Sequence, residues 1–167
     1  MAIDDAVLRG TAWLSFALWA LSQWIESAEP PRRERARASF AGGAVALVVH
    51  TALALHLRHA WSQEHALREI ARQTAEVTGV AFGGGLLVNY AFLVFWLAIV
   101  AWRWRAGSPL GGSAPATRWA IRAVFLFMFL NAGVVFVQGP LRLLGVLLAF
   151  VVMASWYRGR AREGTRT

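Results

Sequence analysis

The residues best suited to chemistry are four histidines, His50, His56, His59 and His65. Imidazole is the commonest protein ligand for metals and the side chain that titrates near neutrality. On a helix of 3.6 residues per turn, His56 and His59 stand about 60° apart on one face. An H-x-x-H pair of this kind can chelate a metal or approach a haem. His50 and His65 each point about 120° from the nearest other histidine, so one straight helix cannot bring all four to one ion. Zinc takes three or four protein ligands. A third ligand at His56 and His59 must therefore come from another segment or from a break near Trp61, and the nearby acids are Glu64, Glu69 and Glu76. The competing expectation is plainer. His59 and His65 sit at an interface, and His50 and His56 hydrogen-bond across helices to Asn, Thr or a backbone carbonyl.

A second set of polar residues lies inside otherwise apolar sequence: His50, Asn89, Tyr90 and Asn131, with Gln138 beyond. Polar groups within apolar spans face a bundle interior and are the default place to look for function. The expectation is a shared pocket around His50, Asn89, Tyr90 and Asn131. Other chemistries are excluded by composition. The chain has no Cys, which removes thiolate ligands and a Cys nucleophile. Every basic residue is Arg, so the P-loop lysine is missing. Asp occurs only at Asp4 and Asp5, so no Ser-His-Asp set can be argued. No cofactor is specified.

The elements that must position these residues follow from hydropathy. Of 167 residues, 57% are apolar and 16% charged, and mean hydropathy is +0.48. A chain of this size cannot hide that much apolar surface in one water-facing domain. Five apolar runs stand out, at about 6–25, 38–61, 80–102, 119–137 and 141–157. A helix needs about 20 residues to cross about 30 Å of hydrocarbon. The first four runs suffice. The fifth must borrow residues before Leu143, thin the bilayer or stop short. None alternates as a barrel strand would. Gly139-Pro140 reads as a tight turn, because one helix across it would be far longer than the bilayer is thick. The fold expected is an all-α, polytopic membrane helix bundle with about five spans in a single membrane domain, 1–167.

The stretch 62–77 differs. Leu67, Ile70, Ala71 and Thr74 repeat at helical spacing. Glu64 precedes Arg68 by four residues, and Arg72 precedes Glu76 by four, so charges can pair along it. An amphipathic helix follows span two, broken at Thr78-Gly79. Gly83-Gly84-Gly85 then permits a close backbone approach or an irregular start to span three. Residues 106–117, AGSPLGGSAPAT, read as a flexible loop. Gly42-Gly43 with Ala46, and Gly145 with Ala149, give small faces for close helix packing.

Arginine sets the expected orientation. Twelve of the seventeen basic residues fall after spans one, three and five, and five fall on the other side. Basic residues stay cytoplasmic. The expectation is the cytoplasmic (inner) membrane, N-terminus outside and C-terminus in the cytoplasm. Trp24, Trp102, Trp104, Trp119 and Trp156 would lie at the cytoplasmic ends, where indoles favour the headgroup level. Arg32, Arg33, Arg35, Arg37, Arg103 and Arg105 would contact lipid headgroups. The clustering of Arg between apolar runs argues for a bilayer partner and against nucleic acid. The leading functional expectation is a small non-catalytic structural, accessory or interaction subunit, with partner membrane subunits or further copies of itself. A histidine-dependent metal- or haem-binding redox or sensor protein remains open. So does a small transporter or ligand-binding protein with an outward polar pocket.

Overall fold

The computed structural model describes residues 2–27, 33–105 and 114–164. Among them are six α-helices and no strand: α1 Ala2–Glu26, α2 Arg33–His59, α3 Gln63–Thr78, α4 Gly85–Arg105, α5 Pro115–Leu130 and α6 Pro140–Gly164. A π-helical segment, Asn131–Val135, continues α5. Glu34–His59, Gly85–Arg105, Pro115–Val135 and Pro140–Gly159 are long and apolar enough to cross a membrane. The molecule is an all-α membrane helix bundle.

Several elements differ from the sequence reading. α2 begins within the basic run, at Arg33. α4 starts five residues later than the apolar run, at Gly85. α6 has 25 residues and starts at Pro140, so it borrows residues before Leu143, one of the three expectations for the fifth run, and it also extends past Tyr157. Its extra turns are the arginine-bearing tail, which hydropathy alone assigns to water. Of the loop 106–117, residues 106–113 lie outside the described residues. Pro115, Ala116 and Thr117 are the first turn of α5. Proline's fixed φ suits that first helical position.

α1 and α2 form a long antiparallel hairpin. Asp5 pairs with Arg58 at one end. Ser15 Oγ donates to the Gly43 carbonyl at 2.9 Å in the middle. Ser39 Oγ donates to the Leu18 carbonyl at 2.8 Å toward the other end. Small residues let two backbones approach this closely. A Cβ on Gly43 would stand 2.9 Å from the Trp96 ring and 3.1 Å from the Ser15 carbonyl oxygen.

The core is aromatic. The Phe125 ring lies 4.9–6.0 Å from Trp19, Phe40, Phe92, Phe95 and Trp96, drawing α1, α2, α4 and α5 onto one point. Such stacked, edge and tilted contacts add about 0.5–1.5 kcal/mol each beyond area burial. Gly145 of α6 meets Gly133 of the π segment so closely that a Cβ on Gly145 would overlap the Gly133 carbonyl. The left-handed Gly139 (φ 72°) makes the turn between them.

The helices alternate in direction. Glu26, Arg103 and Arg158 bring the ends of α1 and α4 together with the C-terminal half of α6. Phe40, early in α2, lies under Arg103, and Trp119, early in α5, meets Trp156 at 5.9 Å. We call this the Glu26 end and the opposite one the Asp5 end.

α3 packs at the Asp5 end. Ser62 caps it, accepting from the His65 amide at 3.2 Å, and left-handed Gly79 closes it. Gly83 lets the chain return against the Leu67 carbonyl, where a Cβ would be 2.7 Å away. Ala60 and Trp61 both have positive φ, 45° and 62°. The left-handed region costs a non-glycine residue about 1–2 kcal/mol, so the α2–α3 corner is strained.

Candidate functional site

The histidines do not gather. His50 is half-buried, and its Nδ1 lies 3.1 Å from Thr11 Oγ1 and 3.0 Å from the Leu8 carbonyl. It thus ties α2 to α1, as a cross-helix hydrogen bond to Thr or a carbonyl would. His56 is exposed and faces Trp61, with ring centroids 6.3 Å apart. His59 turns toward His65 of α3, edge to face at 5.4 Å, rather than toward His56. The corner at Ala60 and Trp61 produces this pairing, which helical periodicity through residue 65 would not give. Among the described residues, no group of three or more His, Cys, Asp or Glu is placed to hold a metal ion.

His50, Asn89, Tyr90 and Asn131 are held apart. His50 faces α1. Tyr90 donates its hydroxyl to Gln63 Oε1 of α3 at 2.8 Å. Asn89 is exposed, and Asn131 is half-buried at the start of the π segment. No hydrogen bond among the described residues joins any two of the four.

A buried polar cluster lies at the Glu26 end. Arg103 is 2% exposed and pairs with Glu26, 77 residues away. Its guanidinium also lies 4.5 Å from the centre of the Phe40 ring. Arg103 Nε and Nη1 are buried without a hydrogen-bond partner among the described residues. Beside this pair, the Trp156 indole donates to Gln23 Oε1 at 2.9 Å, and Arg158 donates to Ser27 Oγ at 3.0 Å. Arg158 also stacks over Trp24 at 3.5 Å. Glu26 and the Phe40 ring face this buried charge, and removing Glu26 would leave it without a counter-ion.

This revises two expectations. Arg103 does not face lipid headgroups; it is buried among α1, α2 and α4. Trp156, expected at the headgroup level, is 7% exposed and packed inside. Of the other headgroup candidates, Arg35 and Arg105 are exposed and Arg37 is half-buried. Arg33 opens α2, and Arg32 lies outside the described residues.

On α3, Arg68 pairs with Glu64, and Arg72 with Glu69 and Glu76. Hydrogen bonds from Arg72 and then Gln73 hold the Glu69 carboxyl down at about 2. The same Glu69 bonds raise the affinity of Arg72 for its proton.

Comparison with protein-family models, curated proteins and solved structures gives no match.

Proposed function

We propose that the chain is a small non-catalytic subunit of the cytoplasmic membrane, crossing it five times and acting as a structural or accessory partner of other membrane subunits or of itself. The observation that carries this reading is how its inner polar groups are used. Ser15, Ser39, Thr11, His50, Gln23, Glu26 and Arg103 each bond to another helix. Polar groups spent on helix–helix bonds specify packing and leave little to contact a substrate.

The fifth crossing is α1. It is less apolar than the four long spans, but its polar Ser15, Ser22 and Gln23 are buried. At about 1.5 Å per residue its 25 residues cover about 38 Å, and its hairpin with α2 runs from Asp5–Arg58 to Leu18–Ser39. The Arg35, Arg103, Arg105, Arg118, Arg122 and Arg158 positions share the Glu26 end, which supports that end as cytoplasmic.

Affinity purification from native membranes in mild detergent tests the reading. An assembly of fixed stoichiometry, larger than one chain, is expected. Turnover by the isolated chain, or solute flux in proteoliposomes that His50→Ala abolishes, would overturn it.

A further inference from the structure

His59 ends α2 and His65 stands in the first turn of α3, with their ring centres 5.4 Å apart. One residue fixes the backbone at both. The Ser62 amide donates to the His59 carbonyl at 2.8 Å, and Ser62 Oγ accepts from the His65 amide at 3.2 Å. Left-handed Ala60 and Trp61 make the reversal between them, and the Trp61 amide donates to the Leu55 carbonyl at 2.9 Å. The two imidazoles are thus carried on a corner that is already set, which lowers the ordering cost of any ligand they share.

His59 Nδ1 is buried and has no hydrogen-bond partner among the described residues. An imidazole nitrogen is either a donor or a lone-pair acceptor, and a buried one left unmatched calls for a water or an ion. The second imidazole beside it favours the ion. At metal–nitrogen distances of about 2.0–2.1 Å, two imidazoles on one ion have centres about 4.5 Å apart for a right angle and about 6.4 Å apart in line. The observed 5.4 Å falls between these limits. His65 is exposed, so an ion can arrive from solvent and keep water on its open side.

The charges around the corner accept a cation. α3 carries Glu64, Glu69 and Glu76 against Arg68 and Arg72, an excess of one acid. Arg58, next to His59, is paired with Asp5. Glu69 lies one turn beyond His65 on the same side of α3, near enough for its charge to act on His59. Its carboxylate is bonded to Arg72 and Gln73, so it is a neighbouring counter-charge and not a third ligand. His56 faces Trp61 and takes no part.

We infer that His59 and His65 together hold one late first-row divalent metal ion, of the copper, nickel and zinc class, with water in its remaining positions. Imidazole suits these ions. Two protein ligands make an open, exchangeable site, unlike the closed four-ligand sites of structural zinc. The bound ion joins the end of α2 to the start of α3 and so staples the strained corner. The site depends neither on the subunit role nor on the orientation proposed above.

The test uses the full chain, without a histidine tag, in phosphatidylcholine nanodiscs. The probe is Cu²⁺, which binds tightest in this series. One Cu²⁺ per chain is expected, with pulsed electron paramagnetic resonance showing two coordinated imidazoles. His59→Ala and His65→Ala should each weaken binding by about 100-fold, since losing even an outer partner of a ligand costs about 10–100-fold. His56→Ala should leave it unchanged. With Zn²⁺ at a hundred times its own Kd, amide protection at the start of α3 should rise by up to about a hundredfold; this readout needs no variant to fold. A copper signal from one imidazole, His65→Ala binding as tightly as the unaltered protein, loss of binding in His56→Ala, copper-driven pairing of two chains, or α3 protection that ignores Zn²⁺ would each overturn the inference.

Discussion

The Arg103–Glu26 pair gives the sharpest energetic prediction. Arg103 is 2% exposed, and two of its nitrogens already lack an acceptor among the described residues. Glu26→Leu strands the guanidinium among α1, α2 and α4. Removing one partner of a buried pair costs about 3–5 kcal/mol. Arg103→Leu costs less, about 1–3 kcal/mol, because the Glu26 side chain is 19% exposed and can recruit water. The double variant places two leucines where the charges were and removes both desolvation penalties. Apolar replacement of a whole buried pair is often neutral or stabilising, so the double variant should be more stable than Glu26→Leu alone. The assay is reversible unfolding in bicelles, followed by steric trapping and read as a double-mutant cycle. Coupling of about 2 kcal/mol or more is expected for groups in such a network. If Arg103 instead reached lipid phosphate, Glu26→Leu would cost no more than an exposed pair, about 0–1 kcal/mol, and the single effects would add. That result would refute the reasoning.

Three further predictions follow from particular contacts. Gly43→Val meets both the Trp96 ring and the Ser15 carbonyl, so it should destabilise the hairpin by about 1–3 kcal/mol; Gly10→Ala, with open space around it, is the control in the same unfolding assay. Thr11→Val and His50→Leu should couple by about 0.6 kcal/mol, the average for interhelical hydrogen bonds in membranes, and a cycle showing no coupling would remove that bond from the account. Glu69 sits at about 2 against a usual 4.5, a depressed carboxyl. Its contribution to α3 is therefore complete above about pH 4.5 and lost as pH falls toward 2. Protection factors of α3 amides, taken against the intrinsic exchange rate at each pH, should fall across that window in the unaltered protein and fall less in Glu69→Gln, and equal falls would contradict the assignment.

Much of the fold is legible along the chain because membrane helices and surface helices write their burial into local patterns. Leu67, Ile70, Ala71 and Thr74, with Glu64–Arg68 and Arg72–Glu76, mark α3 to within a residue or so of its observed ends. Gly79 and Gly139 mark turns that need left-handed backbone. The site is less legible, because what decides it is non-local. Arg103 near the end of an apolar run looks like any headgroup arginine until Glu26 is brought beside it by the α1–α4 approach. Trp156 looks interfacial until Gln23 accepts its indole. His56 and His59 look like a pair on an ideal helix, but the strained Ala60–Trp61 corner returns His65 to His59 instead.

The central claim is that α1 crosses the membrane with the other four spans, leaving the two chain ends on opposite sides. The chain has no cysteine, so single cysteines can report on it without background. Ile3→Cys and Glu64→Cys should react with a membrane-impermeant maleimide on intact cells, and Arg105→Cys only after permeabilisation. Labelling of positions 3 and 105 from the same side would contradict the account.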